Sequence, residues 1–178
     1  MDKAIFTPNE EHIIKVLLKK NEKLDEGILR KAIAFIADAH DGQYRKSGMP
    51  YTEHPFEVAK ILAELQQDQA TVLAGLLHDV VEDTPHTLAE IATEFGEDTA
   101  FMVDAVTKIT AAQEQNKAAQ KAETYRKLII AMAKDPRVIM IKIADRIHNM
   151  RTQECVLISM KMKEVISCSY HQTLITAP

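Results

Sequence analysis

Between Val72 and Val81 the chain reads Val-Leu-Ala-Gly-Leu-Leu-His-Asp-Val-Val, its most apolar stretch, and it sets an imidazole beside a carboxylate inside that stretch. A helix that is apolar almost all round has to run through the middle of a domain, because no face of it suits solvent. Removing His78 and Asp79 from water there is unfavourable by several kcal/mol unless each is paired or coordinated. Glu82 and Asp83 follow within a helical turn. A metal ion is the most economical compensation for so much ionisable chemistry. The bland alternative is a buried histidine satisfied by a backbone carbonyl beside a helix-end carboxylate.

The rest of the chain has to wrap that segment. With 178 residues and 46% hydrophobic content it can form one domain with a sizeable core. Aromatics make up 5% and glycines number five, while Leu, Ile, Ala, Lys and Glu abound, which favours helix over strand. The expectation is an all-α fold, a single domain over residues 1–178 built as a bundle of about eight to ten helices. The formal charge of −4 is spread along the chain, which argues against duplex binding through phosphate neutralisation and leaves any cationic site local. Met1-Asp2-Lys3 opens no signal segment, and no apolar run approaches the ~18–20 residues that span a bilayer, so a soluble, cytoplasmic protein is expected. Cys155 and Cys168 lack a C-x-x-C spacing and read as reduced and structural.

Helical spacing appears over residues 11–20 and 25–40, and Gly42 is a natural left-handed terminator for the second. A loop follows, and His54-Pro55 then opens a helix carrying Val58, Ile61, Leu62 and Leu65. Asp68 caps the apolar helix, which is expected to continue to Thr84-Pro85. Thr87 to Glu90 has the form of a capping box, Gly96 ends that short helix, and another helix is expected from about Asp98 to Ile109. Residues 111–121 have no apolar stripe and suit an exposed helix or a mobile connection. Tyr125, Leu128, Ile129 and Met132 restore a stripe before Asp135-Pro136 interrupts the chain.

Over residues 136–152, Lys142, Asp145, Asn149 and Thr152 recur at i, i+3, i+7 and i+10 as one polar stripe on an otherwise apolar helix. Such a stripe suits a metal carboxylate flanked by groups that hold a phosphate and a nucleoside, the plain alternative being a solvated face. Adding His54 at a helix entrance to His78, Asp79 and Asp145 gives two imidazoles and two carboxylates. That mixed set suits Mn²⁺, Fe²⁺, Zn²⁺ or Mg²⁺ better than soft metals. Glu82 and Asp83, three and four residues beyond Asp79, read either as a base handling the proton of an activated water or as two exposed acids at a helix end. Arg45 and Lys46 read either as solvated surface cations or, with Lys142, Arg146 and Arg151, as a local positive rim suited to a small polyphosphate. His40-Asp41 reads as a cap or loop-supporting pair, and His86, His148 and His171 as structural.

Three blocks carry a resemblance. They are Arg45-Lys46-Ser47-Gly48-Met49-Pro50-Tyr51 with His54-Pro55; Gly75-Leu76-Leu77-His78-Asp79-Val80-Val81-Glu82-Asp83-Thr84; and Ala144-Asp145-Arg146-Ile147-His148-Asn149-Met150-Arg151-Thr152. Together, across about residues 25–152, they resemble the hydrolase domain of RelA/SpoT-type alarmone enzymes, a branch of the HD phosphohydrolases. The resemblance implies an all-helical HD fold with one Mn²⁺ on His54, His78, Asp79 and Asp145. It implies guanosine tetra- or pentaphosphate as the substrate, losing its 3′-pyrophosphate to leave GDP or GTP. Glu82 and Asp83 then match the catalytic acidic pair, and Arg45, Lys46, Ser47, Asn149 and Thr152 match positions that hold the nucleotide. Lys142 is added from the helical stripe alone.

The chain departs from long family members in leaving no room for a nucleotide-synthesising domain, so a stand-alone hydrolase, a split protein or a truncation is expected. Residues 153–159 fit the family pattern poorly, and residues 173–178 are only faintly similar to a later stretch of it. Two other readings stay open: an HD phosphohydrolase of another nucleotide, and a module that senses the alarmone without hydrolysing it.

Overall fold

The computed structural model describes residues 7–45, 48–113, 126 and 129–152. Among these there is no strand, only an isolated bridge between Tyr44 and Pro50, so the architecture is all-α as expected. The helices are α1 (Pro8–Lys20), α2 (Glu26–Ala39), α3 (Glu53–Glu64), α4 (Gln69–Leu77), α5 (Val80–Asp83), α6 (Leu88–Phe95) and α7 (Glu97–Gln113). Two further helical stretches, α8 (129–134) and α9 (137–152), follow. Chain contacts divide the molecule into a unit of residues 1–145 and a unit of residues 146–178.

Local chemistry explains the ends of these helices. Thr7 and Glu10 form a reciprocal capping box that starts α1 earlier than its apolar spacing indicates, and Thr87 with Glu90 does the same for α6. Asp25 and Asp68 cap α2 and α4 by accepting from the amides of Ile28 and Thr71. Gly42, at φ +70°, turns the chain after α2 at no steric cost.

In the first unit α4 is central, packed against α2, α3 and α7, while α1 lies against α2 and α3 and α6 against α7. Every residue from Thr71 to His78 is buried. Gly75 lets α3 come close, since a Cβ there would sit 2.4 Å from Leu62 Cδ1. The core around it is aliphatic: Leu29, Ile33, Ile36, Leu62, Leu76, Leu77, Met102 and Ile141 are fully buried.

One expectation is corrected. The apolar helix does not run unbroken to Thr84-Pro85; it stops at Leu77, turns through His78 and Asp79, and resumes as the four-residue α5. The His78 ring Nδ1 lies 2.8 Å from the Gly75 carbonyl and so occupies an acceptor that a continuing helix would offer to the amide of residue 79. The Asp79 carbonyl then accepts from the amides of Glu82 and Asp83 and begins the new turn.

Residues 111–113 belong to α7, and the rest of the stretch expected to be exposed or mobile lies outside the described residues. So do Tyr125, Leu128, both cysteines, His171 and the divergent segment after Thr152. Ile129, placed on an apolar stripe, is exposed. No helix among the described residues is long and apolar enough to cross a membrane.

A candidate metal centre and its acidic rim

Three elements of the first unit bring ionisable side chains to one place. His54 is the second residue of α3, His78 and Asp79 form the break between α4 and α5, and Asp145 lies on α9. His54 and His78 are buried and their rings meet edge to face at 5.2 Å. His54 Nε2 lies 3.3 Å from Asp145 Oδ1 and 3.8 Å from Asp79 Oδ2, and His78 Nε2 lies 3.0 Å from Asp79 Oδ1. The tightest set is His54, His78 and Asp145, each offering one donor atom within 4.8 Å of the others. Asp79 reaches the same centre with one oxygen towards each imidazole.

The hydrogen bonds set the tautomer of His78. A carbonyl only accepts, so Nδ1 holds the proton it gives to Gly75, and in the neutral ring Nε2 carries the lone pair. That Nε2 is buried and makes no hydrogen bond, although the Asp79 carboxylate is close. Two lone pairs facing each other in a desolvated pocket are unfavourable, and a cation between them removes the conflict. A histidine tied by Nδ1 to a backbone carbonyl, with Nε2 presented inward, is also the usual way an imidazole is oriented for a metal.

The protonation states fit the same use. Burial pushes the His54 imidazole below the ordinary histidine range, against the opposing pull of Asp145. Burial works to raise Asp145, but the hydrogen bond with His54 and the neighbouring His78 and Lys142 outweigh it and hold the carboxyl well below the usual carboxylate range. A neutral imidazole and an ionised carboxylate are the forms that ligate. Two nitrogens and carboxylate oxygens together suit a borderline or hard divalent ion. The residues present therefore fit a metal.

Around this pocket lies a rim. Glu82 and Asp83 are exposed on α5. Asp83 Oδ2 accepts from the Tyr51 hydroxyl, and the Asp83 carbonyl accepts from Gln43 Nε2 at 3.5 Å. Lys142, mostly buried, places Nζ 3.4 Å from Asp145 Oδ2. Arg45 is half-buried in the turn closed by its amide and the Met49 carbonyl at 2.9 Å, with its guanidinium 5.7 Å from the centre of the Tyr51 ring. Lys46 and Ser47 lie outside the described residues. In the second unit, Asn149 and Thr152 continue α9, and the Thr152 hydroxyl donates to the carbonyls of His148 and Asn149 at 3.1 and 3.0 Å.

Tyr51 closes the first of the three resemblance blocks, but nothing in the sequence assigned it a role of its own. His40 does support the loop: it caps α2, is buried, stacks on Tyr51 at 4.5 Å and places Nδ1 2.9 Å from Gln43 Oε1.

Helices that converge a His-Asp dipeptide, a second histidine and a distant aspartate on one centre define a class, and residues 32–164 match the HD domain family. The chain belongs to that family. Within it, its sequence is of the RelA/SpoT kind. It is 50% identical over 131 residues to a GTP pyrophosphokinase of Myxococcus xanthus, covering 72% of this chain and 17% of that protein. It is 50% identical over 124 residues to the bifunctional (p)ppGpp synthase/hydrolase SpoT of Escherichia coli K12, covering 70% of this chain and 18% of that protein. It is also 50% identical over 115 residues to a guanosine-3′,5′-bis(diphosphate) 3′-pyrophosphohydrolase of Haemophilus influenzae, covering 65% and 17%. The chain thus spans less than a fifth of the length of these relatives. The HD match runs on past Thr152 into the segment that fits the RelA/SpoT pattern poorly.

Proposed function

We propose that this chain is a single HD hydrolase domain that removes the 3′-pyrophosphate of guanosine tetra- or pentaphosphate, leaving GDP or GTP. The observation that carries this reading is the convergence of His54, His78 and Asp145, with Asp79 beside them, around a buried imidazole nitrogen that has no hydrogen bond. The chain that carries it is 50% identical over 115 residues to a protein named as a 3′-pyrophosphohydrolase of that nucleotide.

In this reading His54, His78, Asp79 and Asp145 hold one divalent ion, Mn²⁺ for preference. When bound, such an ion supplies a water acidic enough to act as a nucleophile near neutral pH. Glu82 or Asp83 takes the proton as the water oxygen attacks the phosphorus on the 3′ oxygen. The bond from that oxygen to phosphorus breaks, the 3′ oxygen takes up the proton the acid accepted and becomes a hydroxyl, and pyrophosphate carries away the oxygen of the water. Arg45, Lys46 and Lys142 offset the phosphate charge, and Ser47, Asn149 and Thr152 hold the nucleotide by hydrogen bonds. Ligand binding of this kind needs neither a duplex nor a membrane, and the substrate is a small molecule.

Incubation of the purified protein with ppGpp and Mn²⁺ is expected to release GDP and pyrophosphate in equal amounts. His78→Ala and Asp79→Ala are each expected to stop it. Metal-dependent turnover that survives both substitutions overturns the site assignment, and tight ppGpp binding without turnover across several divalent ions overturns the hydrolytic reading.

A further inference from the structure

The segment from His40 to Tyr51 is tied to Asp83 twice, and the reaction outlined above uses neither tie. The Gln43 amide donates to the Asp83 carbonyl at 3.5 Å, so its oxygen is the atom turned to His40 Nδ1, 2.9 Å away, and that nitrogen holds the proton. The Gln43 carbonyl accepts from the Tyr51 amide at 3.1 Å. The Tyr51 ring stacks on His40, with 19° between the planes, and its hydroxyl donates to Asp83 Oδ2. Burial, the charge of Asp79 and the bond to Asp83 all push the phenol above its ordinary range, which keeps it a donor.

Asp83 needs such a holder. It is the last residue of a helix only four residues long, and its carboxylate is exposed. A side chain in that position samples several rotamers, whereas proton transfer needs an oxygen held within hydrogen-bond reach of the water. A donor on one carboxylate oxygen restricts the rotamers and leaves the other oxygen free to accept.

We propose that Tyr51 is a positioning residue for Asp83: its hydroxyl fixes one carboxylate oxygen so that the other is set to take the proton of the attacking water, joining the acid to the loop that carries Arg45. The proposal deepens the hydrolytic reading and rests on it.

Tyr51→Phe isolates the hydroxyl, because it keeps the ring and its stacking on His40. With ppGpp and saturating Mn²⁺, Y51F is expected to lower kcat by roughly 10- to 100-fold while KM stays within about twofold. In a D83N background the same change is expected to have little further effect, because the group it positions is gone. Wild-type kcat in Y51F, a loss confined to KM, or an equal fold-loss in both backgrounds overturns the proposal. A wild-type protein that releases no pyrophosphate from ppGpp fails the hydrolytic reading before any variant is compared. The same cycle is then run on whichever nucleotide is turned over, and turnover of none overturns both.

Discussion

The metal pocket and the acidic rim lie side by side but are built in opposite ways. In the pocket, His54 and His78 are buried on or beside helices of the core, and the Gly75 carbonyl orients the His78 ring. On the rim, Glu82 and Asp83 stand exposed on a single helical turn, and Asp83 is held by a tyrosine and a glutamine from a loop. The pocket therefore rests on the packed core, whereas the rim is held by a few polar contacts at the surface. A binding centre benefits from the first arrangement and a proton acceptor that must meet substrate and solvent benefits from the second.

The largest effect expected from this contrast is a separation of binding from turnover. Saturating Mn²⁺ at about a hundred times its dissociation constant is expected to stabilise the wild-type fold by about 2.7 kcal/mol. His54→Ala and Asp145→Asn are expected to lose most of that stabilisation together with activity. Asp83→Asn is expected to keep it while kcat falls by roughly 10²- to 10⁴-fold. Thermal unfolding with and without the metal, run beside the pyrophosphate assay, reads both quantities. If the Asp83 variant loses the Mn²⁺ stabilisation as well, the rim is part of the pocket and the contrast collapses.

The same contrast explains what could be read from the sequence. His78 and Asp79 were legible because charge inside an apolar run is an anomaly that demands a partner, and Asp145 because a polar stripe on an apolar helix is another. The break between α4 and α5 was not legible. No proline breaks the helix from Val72 to Val81, and Gly75, the weakest helix former there, lies inside α4. The interruption comes after it, where the His78 ring bonds to the Gly75 carbonyl, a contact specified only once the ring is buried. Tyr51 was hidden for the opposite reason: the residue that makes it more than a packing aromatic is thirty-two positions away. Arg137 was missed in the same manner, since Asp68 reads as a helix cap and Asp98 as a favourable first-turn acid without any reference to it.

A smaller effect tests how the pocket depends on core packing. The Gly75 carbonyl holds His78, and Gly75 itself is pressed against α3, where a Cβ would meet the fully buried Leu62. Gly75→Ala is expected to destabilise the fold by roughly 1–3 kcal/mol through overpacking, despite the better helix propensity of alanine. Urea unfolding measures the loss. Metal affinity is expected to fall with it, because any shift of α4 moves the carbonyl that orients the His78 ring. A destabilised variant with wild-type Mn²⁺ affinity breaks the link between core packing and ligand geometry.

The smallest effect concerns Arg137, at the start of the helix that carries Asp145. Its guanidinium bonds Asp135 Oδ1 at 3.0 Å through Nε, Asp68 Oδ2 at 3.0 Å through Nη1 and Asp98 Oδ1 at 2.8 Å through Nη2, which ties α9 to the first turns of α4 and α7. Arg137 holds Asp135 below the usual carboxylate range; Asp68 is also held low, where burial is outweighed by its bonds from Thr71 and from Arg137. Groups depressed in this way stabilise the fold fully above their unfolded value, near pH 4, and the benefit disappears as pH falls through the lower folded value. Arg137→Met is therefore expected to cost roughly 1–2 kcal/mol at pH 7, modest because Asp68 and Asp98 are solvent-exposed. The gap between variant and wild type is expected to narrow below about pH 4, as the carboxylates lose their charge in both proteins. Denaturant unfolding across that range measures it, and a gap that does not change with pH assigns the effect to packing of the arginine stem rather than to its charge.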